Sequence, residues 1–321
     1  MTPTMVAEPE ADAVMDAARR SRAEQFGARL ADDVGDPEAF VRALGANLHD
    51  LADPDDAAGQ HAIAPGLGPT FGVRSPLLAA LARGFERATR EDPPTILLFL
   101  ADRLFRASEL EFRWFAVTIL ERTLDAEPER TWQLLRRAAR EAADWITVDD
   151  LAHAYAAGIA AESSRWAELE QLVYSPSRWE RRLVGSTIAT MTHGRDRASR
   201  RPDIVANALP LLEQLIGDAE PDVQKALAWA YRSLAAIDPE ATTGALRRQA
   251  DEAVRTQDGH RAWVVRDSLA KLDPAIGAEL RARLEGIRRR PGAPATSSAA
   301  ETVARFGQLP DPATHPEPPL T

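Results

Sequence analysis

The strongest constraint on the fold of this 321-residue chain is the rhythm of its apolar residues. From Phe71 to about Leu284, Leu, Ala, Ile and Val recur at spacings of three and four, the period that lines one face of an α-helix. Breaks at Asp92-Pro93-Pro94, Glu127-Pro128, Ser175-Pro176 and Asp238-Pro239 cut this pattern into helix-length pieces, because Pro fits the first turn of a helix and not its interior. Ile146-Thr147-Val148 is the one β-branched run worth weighing as a strand, and it is too short and too deep in helical pattern to make one. An all-α chain is expected.

The pieces also repeat. Similar apolar segments begin near Glu111, Asp149, Trp179, Val223 and His260, at separations of 38, 30, 44 and 37 residues. Each interval holds a pair of helices, the spacing lies near that of HEAT repeats, and the signature residues of tetratricopeptide repeats are missing. One helix pair cannot bury its apolar face alone, so the pairs must stack. The expected fold is an α-solenoid of HEAT-like helix pairs with a concave binding face.

Outside the repeats, residues 1–12 are polar and unpatterned and are expected to be disordered. Residues 13–70 read as an acidic helical segment, with Phe26, Leu30, Phe40, Val41, Leu44 and Leu48 as its apolar stripe, ending in the linker Ala64-Pro65-Gly66-Leu67-Gly68-Pro69. Residues 71–287 form the repeat domain, and 288–321, rich in Pro, Ser and Ala, are expected to be a disordered tail.

Charge and composition narrow the functional classes. With no Cys, disulfides, thiolate nucleophiles and iron–sulfur clusters are excluded, which fits a reducing compartment and most simply the bacterial cytoplasm. No run approaches the roughly 18 apolar residues of a membrane span, and the acidic N-terminus does not resemble an export signal. The net charge of −10 argues against a chain that is basic all over. However, residues 1–70 alone carry 13 acidic against 5 basic residues, while residues 178–201 hold seven Arg against Glu180 and Asp196.

Signatures of phosphate-binding loops, dinucleotide folds, zinc peptidases and serine hydrolases are missing. The six His stand singly at 49, 61, 153, 193, 260 and 315, none with a partner at metal-ligand spacing, so neither metal nor cofactor is expected. The seven Trp, at 114, 132, 145, 166, 179, 229 and 263, all fall within the repeats. Core packing is the ordinary role for Trp on a helix, with some left to face a groove.

Several segments occur in an informative order: Phe71-Gly72-Val73-Arg74-Ser75-Pro76, Glu111-Phe112-Arg113, Asp144-Trp145-Ile146-Thr147-Val148-Asp149, Trp179-Glu180-Arg181-Arg182-Leu183, and Val223-Gln224-Lys225-Ala226-Leu227-Ala228-Trp229-Ala230-Tyr231-Arg232. Together they resemble the DNA alkylation repair family of helical-repeat glycosylases, the AlkD type, from about Phe71 to Leu272. The resemblance implies that Trp145, Asp149, Arg182 and Trp229 line the concave face, and that N3- or N7-alkylated purines are excised from double-stranded DNA. It also implies handling of the lesion without flipping the base into a deep pocket.

The residue types suit this chemistry. Trp145 and Asp149 are i and i+4, neighbours on one helix face. An N-alkylated purine is already cationic and leaves without a general acid, so a fixed carboxylate at Asp149 serves to stabilise the oxocarbenium ion and orient water. Trp145 and Trp229 are suited to pack against the cationic nucleoside, and Arg182 to hold a phosphate. Arg181, Arg195, Arg200, Arg201, Lys225 and Arg232 are further candidates for the DNA backbone. Lysine occurs only at 225 and 271, so a Schiff-base lyase step is not expected and the enzyme should be monofunctional; a monomer is expected.

Taken singly, Asp149 beside Asp150 reads as a solvated carboxylate near a helix start, and Arg182 as a surface charge. The acidic segment before Phe71 departs from the family, whose members carry basic residues there; the basic stretch from His193 to Arg201 is placed to compensate. Two non-catalytic readings stand beside the enzyme: binding of unusual DNA structures, and a scaffold whose groove holds a protein partner.

Overall fold

The computed structural model describes residues 8–64, 66–191 and 202–306, without side chains at 8–15, 202 and 306. Among these residues the regular structure is helical throughout, an all-α helical-repeat fold. The helices are α1 (Glu8–Arg29), α2 (Pro37–Leu51), α3 (Pro54–Ile63), α4 (Ser75–Ala88), α5 (Pro94–Phe105), α6 (Leu110–Thr123), α7 (Pro128–Glu141) and α8 (Trp145–Ala161). They continue with α9 (Trp166–Val173), α10 (Arg178–Thr190), α11 (Pro202–Leu215), α12 (Pro221–Leu234), α13 (Pro239–Thr256), α14 (Gly259–Ser268), α15 (Pro274–Arg283) and α16 (Ser298–Phe306). The Pro punctuation marks real helix starts at Pro94, Pro128 and Pro239, and Ser175-Pro176 forms the turn before α10. At Asp36-Pro37, Asp53-Pro54, Asp238-Pro239 and Asp273-Pro274 the Asp side chain accepts from a backbone N–H of the first turn while Pro occupies a position needing no donor.

The chain divides into two compact units, residues 1–154 and 155–321, so the boundary falls inside α8. In the first unit the acidic N-terminal segment is not a separate piece. Phe40 of α2 meets Phe85 of α4 and Phe115 of α6 at ring separations of 5.4 and 6.1 Å. All six residues expected to form the apolar stripe are buried except Val41, which is half-buried. Helix α1 crosses α4 at Gly27 and Gly84, where a Cβ on either residue would run into the opposing backbone, at the Leu81 and Glu24 carbonyls respectively.

In the second unit the helices alternate between two rows. One contains α10, α12 and α14, and the other α9, α11, α13 and α15, each packed on its neighbours. Gly185 lets α10 come close to α12, since a Cβ there would lie 2.8 Å from the Ala226 backbone.

Both expected disordered ends need correction. Helix α1 already begins at Glu8, and residues 1–7 lie outside the described residues. The segment after 287 crosses the starts of α14 and α12 and leads into α16, which packs on α11. Its Ser and Ala residues are small enough to pack closely, with Ser297 and Ala299 both buried. Residues 307–321 lie outside the described residues.

Candidate nucleic-acid interface

The motif segments of the first unit interlock around two buried carboxylates. Glu111, 1% exposed, accepts from the backbone N–H groups of Phe71 (3.0 Å), Gly72 (2.9 Å) and Val73 (3.1 Å), with the Thr70 hydroxyl at 2.9 Å. Gly72 has φ +75°, and a Cβ there would strike the Asp53 and Ala57 backbones, so this loop requires glycine. Arg113, two residues after Glu111, donates to the Ser108 carbonyl (2.8 Å) and pairs with Asp144 (3.2 Å). Asp144 in turn caps α8, accepting from the Thr147 N–H and the Thr147 hydroxyl, both at 2.8 Å.

This network fixes the start of α8, where Trp145 and Asp149 lie one turn apart on the same face. Trp145 is half-buried and, with Ile146, packs on the cluster of Ala64, Leu67 and Leu110. The cap near the helix start is Asp144, leaving Asp149 half-buried one turn further in. Asp150 beside it is raised from 3.8 to about 7, first by burial and then by the negative charges of Asp149, Glu121 and Asp144. It takes up a proton near neutrality.

In the second unit Arg182 is not a surface charge. It is 5% exposed and donates to the Asp222 carbonyl at 2.8 Å, joining α10 to the start of α12. Arg181, the neighbouring candidate for the DNA backbone, is tied into the fold. It pairs with buried Asp218 at 2.7 Å and donates to the carbonyls of Ser175 and Pro176 at 2.9 and 3.0 Å. On α12, Lys225, Trp229 and Arg232 follow one another at i, i+4 and i+7 along the face left outside the core, with Lys225 exposed and the other two half-buried. Arg232 is held by Asp267, bonding its carboxylate at 2.7 Å and its carbonyl at 2.8 Å. Arg195, Arg200 and Arg201 lie outside the described residues.

Of the seven Trp, only Trp132 is buried, which reverses the ordinary expectation of core packing. Two of the Trp carry an Arg over the ring, which was not foreseen: Arg178 lies over Trp179 at 4.5 Å and Arg289 over Trp263 at 4.6 Å. The first is visible in sequence as adjacent residues, whereas the second joins positions 26 apart and has no local signal. Among the described residues no group of three or more His, Asp or Glu is placed to hold a metal ion, and no helix is long and apolar enough to cross a membrane.

The model of the DNA alkylation repair enzyme family matches residues 44–272, more than two thirds of the chain and all five motif segments. The chain belongs to this family. A solved structure from Enterococcus faecalis, described as a predicted DNA alkylation repair enzyme, superposes with a TM-score of 0.52 over 74% of this chain and 98% of that one, at 15% identity. At that identity the likeness speaks for the fold alone. No curated protein matches the chain. Family membership makes it a DNA alkylation repair enzyme, and the interlocked Phe71–Val73, Glu111–Arg113 and Asp144–Asp149 segments are the part of the family pattern that builds the α8 start.

Proposed function

We propose that this member of the DNA alkylation repair family is a monofunctional glycosylase, acting as a monomer in the bacterial cytoplasm on N3- and N7-alkylated purines such as 3-methyladenine and 7-methylguanine in duplex DNA. The observation that carries the proposal is the Trp145–Asp149 pair on the first turns of α8, held in place by the Asp144 cap and the Arg113 ion pair. A carboxylate is useful to this reaction only if it is already oriented when positive charge develops, because reorganisation then adds nothing to the barrier.

The lesion carries its positive charge before reaction. The bond from C1′ to the purine nitrogen breaks, its electron pair leaves with the base, and the base departs neutral. The deoxyribose becomes an oxocarbenium ion facing the Asp149 carboxylate. Water attacks C1′ and releases a proton to Asp149 or solvent, leaving an abasic site. Trp145, one turn from Asp149, offers an aromatic face to the cationic nucleoside, and Trp229 is the second aromatic candidate for contact with DNA. Arg182 lies close to the core, so its phosphate role takes the form of a short, charge-assisted contact rather than a long surface reach. Lys225 adds a backbone contact, and Arg232 offers Nη2 while Nη1 bonds Asp267.

The test is release of 7-methylguanine or 3-methyladenine from alkylated duplex DNA. Wild type should release base without nicking the strand, and Asp149→Asn should be slower by about 100-fold or more, the usual effect of removing one electrostatic stabiliser. Equal rates would remove Asp149 from the mechanism. No release by wild type would favour binding of DNA structures or of a protein partner by a HEAT-like scaffold, a reading suited to the net charge of −10.

A further inference from the structure

The segment after α15 lies beyond the residues matched by the family, yet it is built firmly into the second unit. The Arg288 carbonyl lies against Gly259, where a Cβ would drive into it. His260 bonds the Ala293 carbonyl through Nε2 at 3.2 Å, Thr296 donates its N–H to the Gly217 carbonyl at 2.8 Å, and its hydroxyl donates to Asp258. This strap carries Arg288, Arg289 and Arg290 in succession, all exposed.

Many arginines among the described residues are matched to a carboxylate, as in the pairs of Arg22 with Asp50, Arg87 with Glu24, Arg103 with Glu38 and Arg247 with Glu279. Among the described residues none of Arg288, Arg289 and Arg290 has such a partner. Arg289 donates to the Gln224 side chain at 2.7 Å and covers Trp263. Arg266 is also close, and its pKa is lowered by burial and then by the charges of Arg288 and Arg289. Like charges held together by a rigid strap favour an anion between them.

Position decides which anion. In the α10–α12–α14 row, α10 carries Arg178 with Trp179, and α12 carries Lys225 one turn before Trp229. Helix α14 has Trp263, but its own Arg261 is buried and bonded to Asp258 and Gln249. The strap provides the missing cation from outside the helix. We propose that Arg288, Arg289 and Arg290 form a phosphate-binding station for duplex DNA that completes a repeated Trp-and-cation pattern along this row. The proposal rests on the DNA-binding part of the glycosylase reading and adds a contact remote in sequence from Asp149.

The test is binding of undamaged duplex DNA by the full chain across a salt series, followed by fluorescence anisotropy. Arg288→Gln/Arg290→Gln is the variant of choice, since neither side chain makes a hydrogen bond among the described residues. Its log–log salt slope should be shallower by about 1.8, which narrows its deficit against wild type roughly twelvefold between about 50 and 200 mM salt. Arg288→Lys/Arg290→Lys should keep the wild-type slope. A wild-type slope in the Gln variant, with wild type binding DNA normally, overturns the station and leaves the glycosylase reading intact. The reduced slope without excision by any form keeps the station and rejects the chemistry. No DNA binding by wild type rejects both.

Discussion

Replacing Glu111 by Gln tests whether the buried carboxylate organises the first unit. The native carboxylate serves three backbone N–H groups and one hydroxyl at 2.9 to 3.1 Å. In Gln, one oxygen becomes an NH2. With the amide oxygen kept toward Thr70, Gly72 and Val73, this NH2 faces the Phe71 N–H, donor against donor. An unsatisfied buried donor costs about 1–3 kcal/mol, and the three remaining bonds each lose about 1 kcal/mol of charge assistance. Allowing for coupling between neighbours, the expected loss is about 4 kcal/mol, a large share of the roughly 5–15 kcal/mol of a typical domain. Urea unfolding followed by far-UV circular dichroism measures it, and Glu111→Asp, charged but one methylene shorter, should fall between Gln and wild type. A loss below about 1 kcal/mol for Gln would refute the argument.

Asp150→Asn should stabilise the protein in a pH-dependent way. Its folded pKa, about 7, lies above the usual 3.8, so wild-type stability is fully present below about pH 4 and is lost as pH rises through 7. The variant should match wild type near pH 4 and exceed it by about 2 kcal/mol at pH 8, half the full linkage value because the side chain keeps some solvent contact; a pH-independent difference would contradict this. Gly84→Ala should cost about 1–3 kcal/mol or more by separating α1 from α4, with Gly27→Ala adding little on top because the same crossing is already broken. Wild-type melting temperatures for both alanine variants would show that the crossing is not tight.

What the sequence revealed depended on the distance between interacting residues. Helix starts at Asp-Pro and Glu-Pro pairs were readable because cap and helix are adjacent in the chain. The shared face of Trp145 and Asp149 follows from a spacing of four. Arg181 and Arg182 look equivalent in sequence, yet the turn of α10 sends one to Asp218 and the other to the Asp222 carbonyl. Nor could composition reveal that Glu111 serves a loop 38 to 41 residues away, since its partners are backbone N–H groups that every residue type offers. The low-complexity segment after 287 failed for a related reason: Ser and Ala carry little hydrophobic signal, but their small size lets them pack against α11.

The Gly27–Gly84 crossing and the C-terminal strap bear on where this protein can be cut. The family match begins at Leu44, inside α2, and ends at Leu272, before the strap. A fragment trimmed to those limits would split one helix, uncover the α4 surface that α1 covers, and strip the strap from the starts of α12 and α14. For this chain the stretch that identifies its relatives is shorter than the stretch that must fold together, and any minimal version should be drawn from glycine to strap rather than from motif to motif.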